Sequence, residues 1–352
     1  MVLLLAAAGM LMVYSTSSMY ALDKFGEIHY FLKRHALYLG LGLGIIFVLM
    51  RVDYHLLGKL VYPAYVLALM GLAAVFIPGV GREIGGAKRW ISLEPFGFQP
   101  AEFAKLSLVL YLAYSLTKKR EKMGSFLIGF LSHVMAGGIY AGLILLQPDF
   151  GMSIMVLMVL GLMLFVGGAK LKYLVFAGGF SLPLFIWGIL TQSYRLKRVL
   201  AFLNPWDDPQ GSGYQVIQSF IAFGLGGVTG GGLGSSLQKL LFLPEAHTDF
   251  IFSIIGEELG LLGVLSIVAC FVFFTVRGLR VSMRAPDLFG CYLAFGCTVL
   301  IALQAGVNMA VTVGLFPTKG LTLPFISYGG TSLVASLAAA GILLNVSRAR
   351  IK

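Results

Sequence analysis

Apolar stretches long enough to cross a bilayer recur along the whole chain. They fall at about residues 2–20, 36–50, 60–77, 102–116, 125–146, 152–167, 173–190, 250–276, 288–310 and 331–347. A spanning helix needs about 20 mainly apolar residues, somewhat fewer where polar flanks reach back to the interface. Charged residues make up only 12% of the chain, against roughly 25% in soluble domains. The pattern predicts an all-α polytopic membrane protein of ten transmembrane helices, with residues 1–352 as a single transmembrane domain. The start, Met1-Val-Leu-Leu-Leu, has no basic n-region and reads as a first span rather than a cleaved signal. Cys270, Cys291 and Cys297 sit inside apolar segments without metal spacing and are expected to pack as small side chains.

Charge then sets the orientation. With the N-terminus inside, the short inner loops hold Lys118–Lys122, Arg277–Arg284 and the C-terminal Arg-Ala-Arg-Ile-Lys, the asymmetry expected of cytoplasmic loops. Both termini are therefore expected in the cytoplasm, with these cations near anionic membrane lipids. The net charge of +11 gives no reason to invoke nucleic acid. The outer side mixes acids and bases, and that mixture directs attention to its loops.

One loop is long, about residues 191–249, an extracytoplasmic connection between helices 7 and 8. Loops of that length in compact proteins are functional or disordered. This one carries two apolar-periodic pieces, 194–203 and 214–223, that read as amphipathic helices at the membrane surface. A Gly-rich run, 224–234, follows and permits close backbone approach and positive φ. The loop ends in Glu245, His247 and Asp249 at the mouth of the eighth span. Ionisable groups at a membrane boundary are functional candidates, and Asp249 suits a helix N-cap equally well.

The other outer motifs are shorter. Glu102 and Lys105, three apart on the first turns of the fourth span, share a face; they either line a cavity or hold the fold. Gln147-Pro-Asp149 is either turn chemistry or part of a site. Residues 315–332 are too rich in Pro, Gly and hydroxyls for a continuous helix, and such backbone survives at membrane depth only when buried or lining a wet cavity. Lys319 is the one charge there. Glu257 and Glu258, two turns into the eighth span, are expected to bond to other helices. The pattern suits a protein that handles an amphiphile, with its tail among the spans and an anionic head among outer cations.

At this point the residues resemble the SEDS family, the bacterial shape, elongation, division and sporulation proteins. The resemblance rests on Gly86-Ala-Lys-Arg-Trp90, Gln99-Pro-Ala-Glu-Phe-Ala-Lys105, Gln147-Pro-Asp149, Asn204-Pro-Trp206 through Gly211-Ser-Gly-Tyr-Gln215, Pro244–Phe250 and Pro317–Gly330. Pro244-Glu-Ala-His-Thr-Asp249 and Pro317–Pro324 look more like the division branch than the elongation branch. Ala101 stands where the family usually has Ser. The resemblance implies a ten-span fold and peptidoglycan glycosyltransferase activity on lipid II at the outer face of the bacterial cytoplasmic membrane. It also implies a class B penicillin-binding protein as partner, among other divisome proteins. The family's essential acid falls on Asp249, and its Glu and Lys on Glu102 and Lys105.

The reaction that the resemblance implies assigns the remaining roles. A sugar hydroxyl attacks an anomeric carbon while undecaprenyl pyrophosphate leaves, so a carboxylate that takes the acceptor proton contributes roughly 10²–10⁴-fold; Asp249 is expected in that role. His247, two residues away, is a second candidate for the site, with a neutral imidazole that orients the loop as the favoured reading. Pyrophosphate calls for cations, and Lys105, Lys319, Arg195, Arg198 and Lys239 are the outer set, although Arg195 and Arg198 serve as well as snorkelling cations of a surface helix. A divalent cation, Mg²⁺ or Mn²⁺, suits the chemistry without any ligand cluster demanding it. The rival functions are a lipid II transporter, an elongation-branch polymerase and a scaffold that recruits the penicillin-binding protein.

Overall fold

The computed structural model describes residues 1–349 except Gly85, Glu94, Pro95 and Leu241. Arg350 and Lys352, read above as orientation determinants, lie outside the described residues. The helices run α1 Val2–Phe25, α2 Tyr30–Arg51, α3 His55–Lys59 and α4 Val61–Ala74, before three strands, β1 Gly81–Ile84, β2 Ala87–Leu93 and β3 Phe96–Phe98. Then come α5 Pro100–Lys118, α6 Ser132–Leu146 (entered through a π-helical turn, Phe126–Leu131), α7 Phe150–Val166, α8 Leu171–Leu190, α9 Ser193–Leu203 and α10 Tyr214–Gly226. The chain ends with α11 Ile251–Met283, α12 Leu288–Thr312 and α13 Gly330–Ala349. Among the described residues seven helical segments are long and apolar enough to cross a membrane: α1, α2, residues 126–146, α8, α11, α12 and α13. The shorter α4 and α7 are also apolar. The seven fall on the predicted stretches 2–20, 36–50, 125–146, 173–190, 250–276, 288–310 and 331–347, and the other three stretches fall largely on α4, α5 and α7.

The chain forms two compact units, one of residues 1–39, 178–273 and 304–329, the other of residues 40–177, 274–303 and 330–352.

In the second unit, side-chain bonds fix helix directions. Tyr65 Oη donates to Ala136 O (2.8 Å), Tyr140 Oη to Tyr65 O (2.9 Å), and Gln147 Nε2 to Leu72 O (2.8 Å). Residue 65 thus lies beside 136–140 and residue 72 beside 147, so α4 and α6 run parallel. Ser153 Oγ donates to Ala141 O (3.0 Å) while Gly137 faces Leu160, so α6 and α7 are antiparallel. Gly42 faces Leu337, Gly341 faces Ile46, and Asn345 Nδ2 donates to both Leu49 O and Val52 O, which makes α2 and α13 parallel. Pro100 opens α5, where its missing N–H costs nothing, and Glu102 in the first turn and Lys118 in the last complement the helix dipole.

This unit corrects the all-α expectation. Residues 81–98 form a three-stranded antiparallel sheet in the order β1-β2-β3. Strands of three to seven residues are too short to show a clear period-two pattern, and the polar surroundings read as loop.

In the first unit, the predicted eighth span is not one continuous helix. Gly260 breaks α11 with φ 65° and ψ −164°, a conformation reserved for glycine. The Gly-rich run fills the break. Gly231 N donates to Glu257 O (3.0 Å) and Gly232 N to Glu258 O (2.9 Å), while Leu261 N donates to Gly227 O (2.9 Å) and Leu262 N to Val228 O (3.2 Å). The approach leaves no room for side chains: a Cβ on Gly230 would lie 2.2 Å from Glu258 O. The two amphipathic pieces are helical as predicted, but α10 is docked in protein rather than only resting on a surface. Its Ser219 Oγ bonds Thr312 O (2.5 Å) and Ser253 Oγ (2.6 Å), and Gly226 packs directly on Gly256.

Gly260→Ala is expected to destabilise the fold by roughly 1–3 kcal/mol, because its Cβ would stand 2.3 Å from Gly230 N at a positive φ. Gly306→Ala, in α12 with nothing within 4 Å of the added Cβ, is the control. Thermal midpoints of the purified proteins would show a fall in the first and none in the second.

Candidate active site

Asp249 stands two residues before α11, half-buried. Its backbone is held from α12. Asn308 Nδ2 donates both to Asp249 O (2.8 Å) and to Leu321 O (2.6 Å). One turn earlier, Gln304 Nε2 donates to Thr322 O (3.1 Å) and to its hydroxyl (3.2 Å). These two buried amides clamp the irregular stretch that carries Lys319 against the stretch that carries Asp249. The proximity is tight: a Cβ on Gly320 would meet Asp249 Oδ2 at 3.2 Å. Thr248 Oγ1 is engaged by Glu245, donating to its Oε2 at 2.7 Å.

His247 belongs to an aromatic cluster. Its ring lies 4.7 Å from that of Phe31, 5.5 Å from Tyr20 and 5.8 Å from Tyr328, and its carbonyl accepts from Tyr328 N (2.9 Å). Burial holds its pKa below the usual histidine value; Glu245 opposes that and Lys24 adds to it. Burial likewise pushes the Tyr328 phenol up to about 12, against Arg34. The imidazole is packed among rings, and its own carbonyl ties the loop to Tyr328.

The cations separate. Arg198 Nη1 donates to Thr318 O (3.4 Å), next to Lys319. Arg195 turns toward α8 and its neighbour, donating to Gly188 O (2.8 Å) and Tyr194 Oη (2.9 Å). Lys239 Nζ pairs with Glu258 Oε1 (2.9 Å) and donates to Ser15 Oγ (3.0 Å); the Lys239 side chain is 8% exposed and that of Glu258 0%. Glu257 accepts from Leu237 N (2.8 Å) and from Ser236 Oγ. Both glutamates thus bond the segment after the Gly-rich run, and Glu258 also reaches α1 through Ser15 Oγ (2.6 Å).

In the second unit, Glu102 and Lys105 form an ion pair of 2.9 Å, their side chains 4% and 1% exposed. The Gln147-Pro-Asp149 turn is held by Arg89 of β2, which donates to Gln147 O (3.3 Å) and Pro148 O (2.8 Å) and lies 3.6 Å from Asp149 Oδ2. Asp149 also caps α7, accepting from Met152 N (3.0 Å). For this carboxylate the turn-and-cap reading is the structural one.

Sequence reasoning missed Asn308, Gln304 and the partnership of Arg89 with the Gln-Pro-Asp turn. The first two carried a signal: amides four residues apart in an otherwise apolar helix share a face and need buried partners. Among the described residues no three His, Cys, Asp or Glu side chains gather to hold a metal ion.

A family model described as cell cycle protein, FtsW/RodA/SpoVE, matches residues 1–352. The chain belongs to this family. It is the SEDS family of the motifs above. A probable peptidoglycan glycosyltransferase FtsW of Geobacter sulfurreducens is 48% identical over 350 residues, covering 98% of this chain and 94% of that protein. Stage V sporulation protein E of Bacillus subtilis is 42% identical over 348 residues, covering 98% and 94%. Among solved structures, one described as structural coordination of polymerization and crosslinking by a peptidoglycan synthase complex aligns with a TM-score of 0.80 at 34% identity, covering 100% of this chain and 98% of that one. The rod shape determining protein RodA of Thermus thermophilus aligns with a TM-score of 0.71 at 30% identity, covering 100% and 97%. Membership and the apolar helices together make this FtsW/RodA/SpoVE protein a multi-pass membrane protein.

Two predictions follow from the buried charges. Removing one member of the Glu102–Lys105 pair leaves an uncompensated buried charge, so Glu102→Leu or Lys105→Met alone should cost about 3–5 kcal/mol, and the double variant much less; chemical denaturation in detergent compares the three. For His247, the folded pKa lies below the unfolded value of 6.5, so its stabilising contribution is full above that pH and is lost on acidification, as the unfolded state takes up the proton first. The difference in thermal midpoint between wild type and His247→Gln is expected to shrink from about pH 8 to about pH 5.

Proposed function

We propose that this protein polymerises lipid II into glycan strands for septal cell-wall synthesis, with Asp249 as the base. The observation that carries the reading is the Asn308 clamp, which holds a half-buried carboxylate against a stretch bearing Lys319 and touched by Arg198. The relatives named FtsW, matched over nearly their whole length, support the glycosyltransferase class and the division branch over the elongation branch.

The acceptor hydroxyl of one sugar attacks the anomeric carbon at the end of another chain. A new C–O bond forms there and the bond to the pyrophosphate oxygen breaks. The hydroxyl proton passes to the Asp249 carboxylate, and undecaprenyl pyrophosphate leaves as an anion. Lys319 and Arg198 stabilise that charge, with Arg195 one turn before Arg198 on α9. Lys239 shares its charge with Glu258 and has less to offer a phosphate. The Glu102–Lys105 pair anchors the start of α5 as a neutral unit.

Ten transmembrane spans with both termini in the cytoplasm fit the helix directions found in the second unit. The third and fifth spans are parallel, the fifth and sixth antiparallel, the second and tenth parallel, as alternate crossing requires. The reacting face is then extracytoplasmic, in the inner membrane of the bacterium. A class B penicillin-binding protein is the expected partner, in keeping with the peptidoglycan synthase complex to which the chain is similar.

Purified protein given labelled lipid II, with and without that partner, should form glycan ladders. Asp249→Asn should slow polymerisation by about 10²–10⁴-fold while leaving lipid II binding and the thermal midpoint in place. Equal ladders from both proteins would remove Asp249 from the mechanism. No ladders from either, with transfer of lipid II across a vesicle bilayer instead, would move the reading to a transporter.

A further inference from the structure

At the end of α5 opposite Glu102, a cavity of about 590 Å³ is lined by Lys118, Lys119, Arg120 and Lys122 with Glu121 the one acid among its walls. Its polar walls continue in hydroxyls, from Ser115, Thr117, Tyr62 and Tyr111. Lys119 is oriented there by a bond from its Nζ to Ser132 Oγ (3.0 Å), at the first residue of α6. Four cations against one carboxylate, with hydroxyl donors beside them, suit a phosphate oxyanion.

The helices that flank the cavity say which phosphate. Because α4 and α6 run parallel, their first turns, at Tyr62 and Ser132, both lie at the cavity end. From there each leaves an apolar row exposed: Tyr62, Val66 and Met70 at four-residue spacing on α4, Met135 and Ile139 on α6, with Met135 58% exposed. Such rows lie along one face of a helix. The combination is amphiphile-shaped, basic at one end and apolar along two parallel helices leading away from it. A dissolved phosphate would use only the first part. We propose that this cavity binds the phosphodiester head group of an anionic phospholipid, whose acyl chains lie along the exposed rows of α4 and α6. Basic pockets between membrane helices on the cytoplasmic side take such head groups, and this one is remote in function from the polymerisation site.

The test uses the full-length protein purified from a bacterium whose membrane contains phosphatidylglycerol and phosphatidylethanolamine, with retained lipid read by native mass spectrometry. The wild type should retain phosphatidylglycerol in preference to phosphatidylethanolamine. The fourfold variant K118Q/K119Q/R120Q/K122Q should lose that retention by about tenfold or more, whereas R277Q/R280Q/R284Q, which removes inner cations at the end of α11 that do not line this cavity, should keep it. Val66→Ser with Met70→Ser should weaken retention without altering any charge, and each variant is compared only where it elutes as a single folded species. Equal loss from both cationic variants would mean general attraction to an anionic surface and overturn the proposal. So would retention indifferent to Val66 and Met70, or displacement of the lipid by inorganic phosphate at equal concentration, which would leave a simple phosphate site.

Discussion

A backbone amide or carbonyl left unpaired inside a bilayer costs several kcal/mol, and this constraint governs the first unit. Breaking α11 at Gly260 frees carbonyls at Glu257 and Glu258 and amides at Leu261 and Leu262. All four are taken up by residues 227–232. Only glycine brings two backbones that close, and glycine adopts without steric cost the positive φ found at Gly227, Gly230, Gly232 and Gly260. The Gly-rich run is therefore a structural insert that makes a broken helix tolerable. The break in turn separates a short leading piece, with Asp249 at its head, from the long remainder of α11.

Polar side chains do the complementary work at helix ends. Buried ion pairs are weak stabilisers on balance, yet losing one partner is severe; such pairs specify how elements meet. Lys239–Glu258 is of this kind, joining α11 to the segment after the Gly-rich run, whereas Glu102–Lys105 is buried within the first turns of α5 itself. The amides of Asn308, Gln304 and Asn345 act without charge, binding carbonyls of irregular or terminating backbone that no helix would satisfy. Polarity is thus concentrated where regular structure stops.

Much of this was legible in the sequence, for identifiable reasons. Seven of the apolar stretches fall on helices long and apolar enough to span, because length and hydropathy are nearly sufficient when the solvent is lipid. The Gly-rich run was legible as a place of close approach, though not what it approached, since its partner lies some thirty residues on along a seemingly uniform apolar helix. The sheet at 81–98 escaped because its strands are short and its polar residues resemble a loop. Asp249 was singled out by motif and by its position at a span mouth. Asn308 was not, because an amide in an apolar helix, even with Gln304 one turn before it, declares a need for a partner without naming it. Lys239 was grouped with the outer cations by charge; its buried partner Glu258 was visible only in three dimensions.

The arrangement around α11 also has a direction in time. A chain emerging from its N-terminus has Ser15, the 227–232 run and Lys239 in hand before Glu257 and Glu258 are made, so the broken helix can be sealed as soon as residue 262 is available. Asp249 is different: Asn308, which bonds its carbonyl, Gly320, which lies against its carboxylate, and Tyr328, which holds the neighbouring His247, are all synthesised later. The carboxylate is thus carried through much of membrane insertion on a finished scaffold but in an unfinished setting, and it gains its final geometry only after α12 and the irregular stretch beyond it have entered.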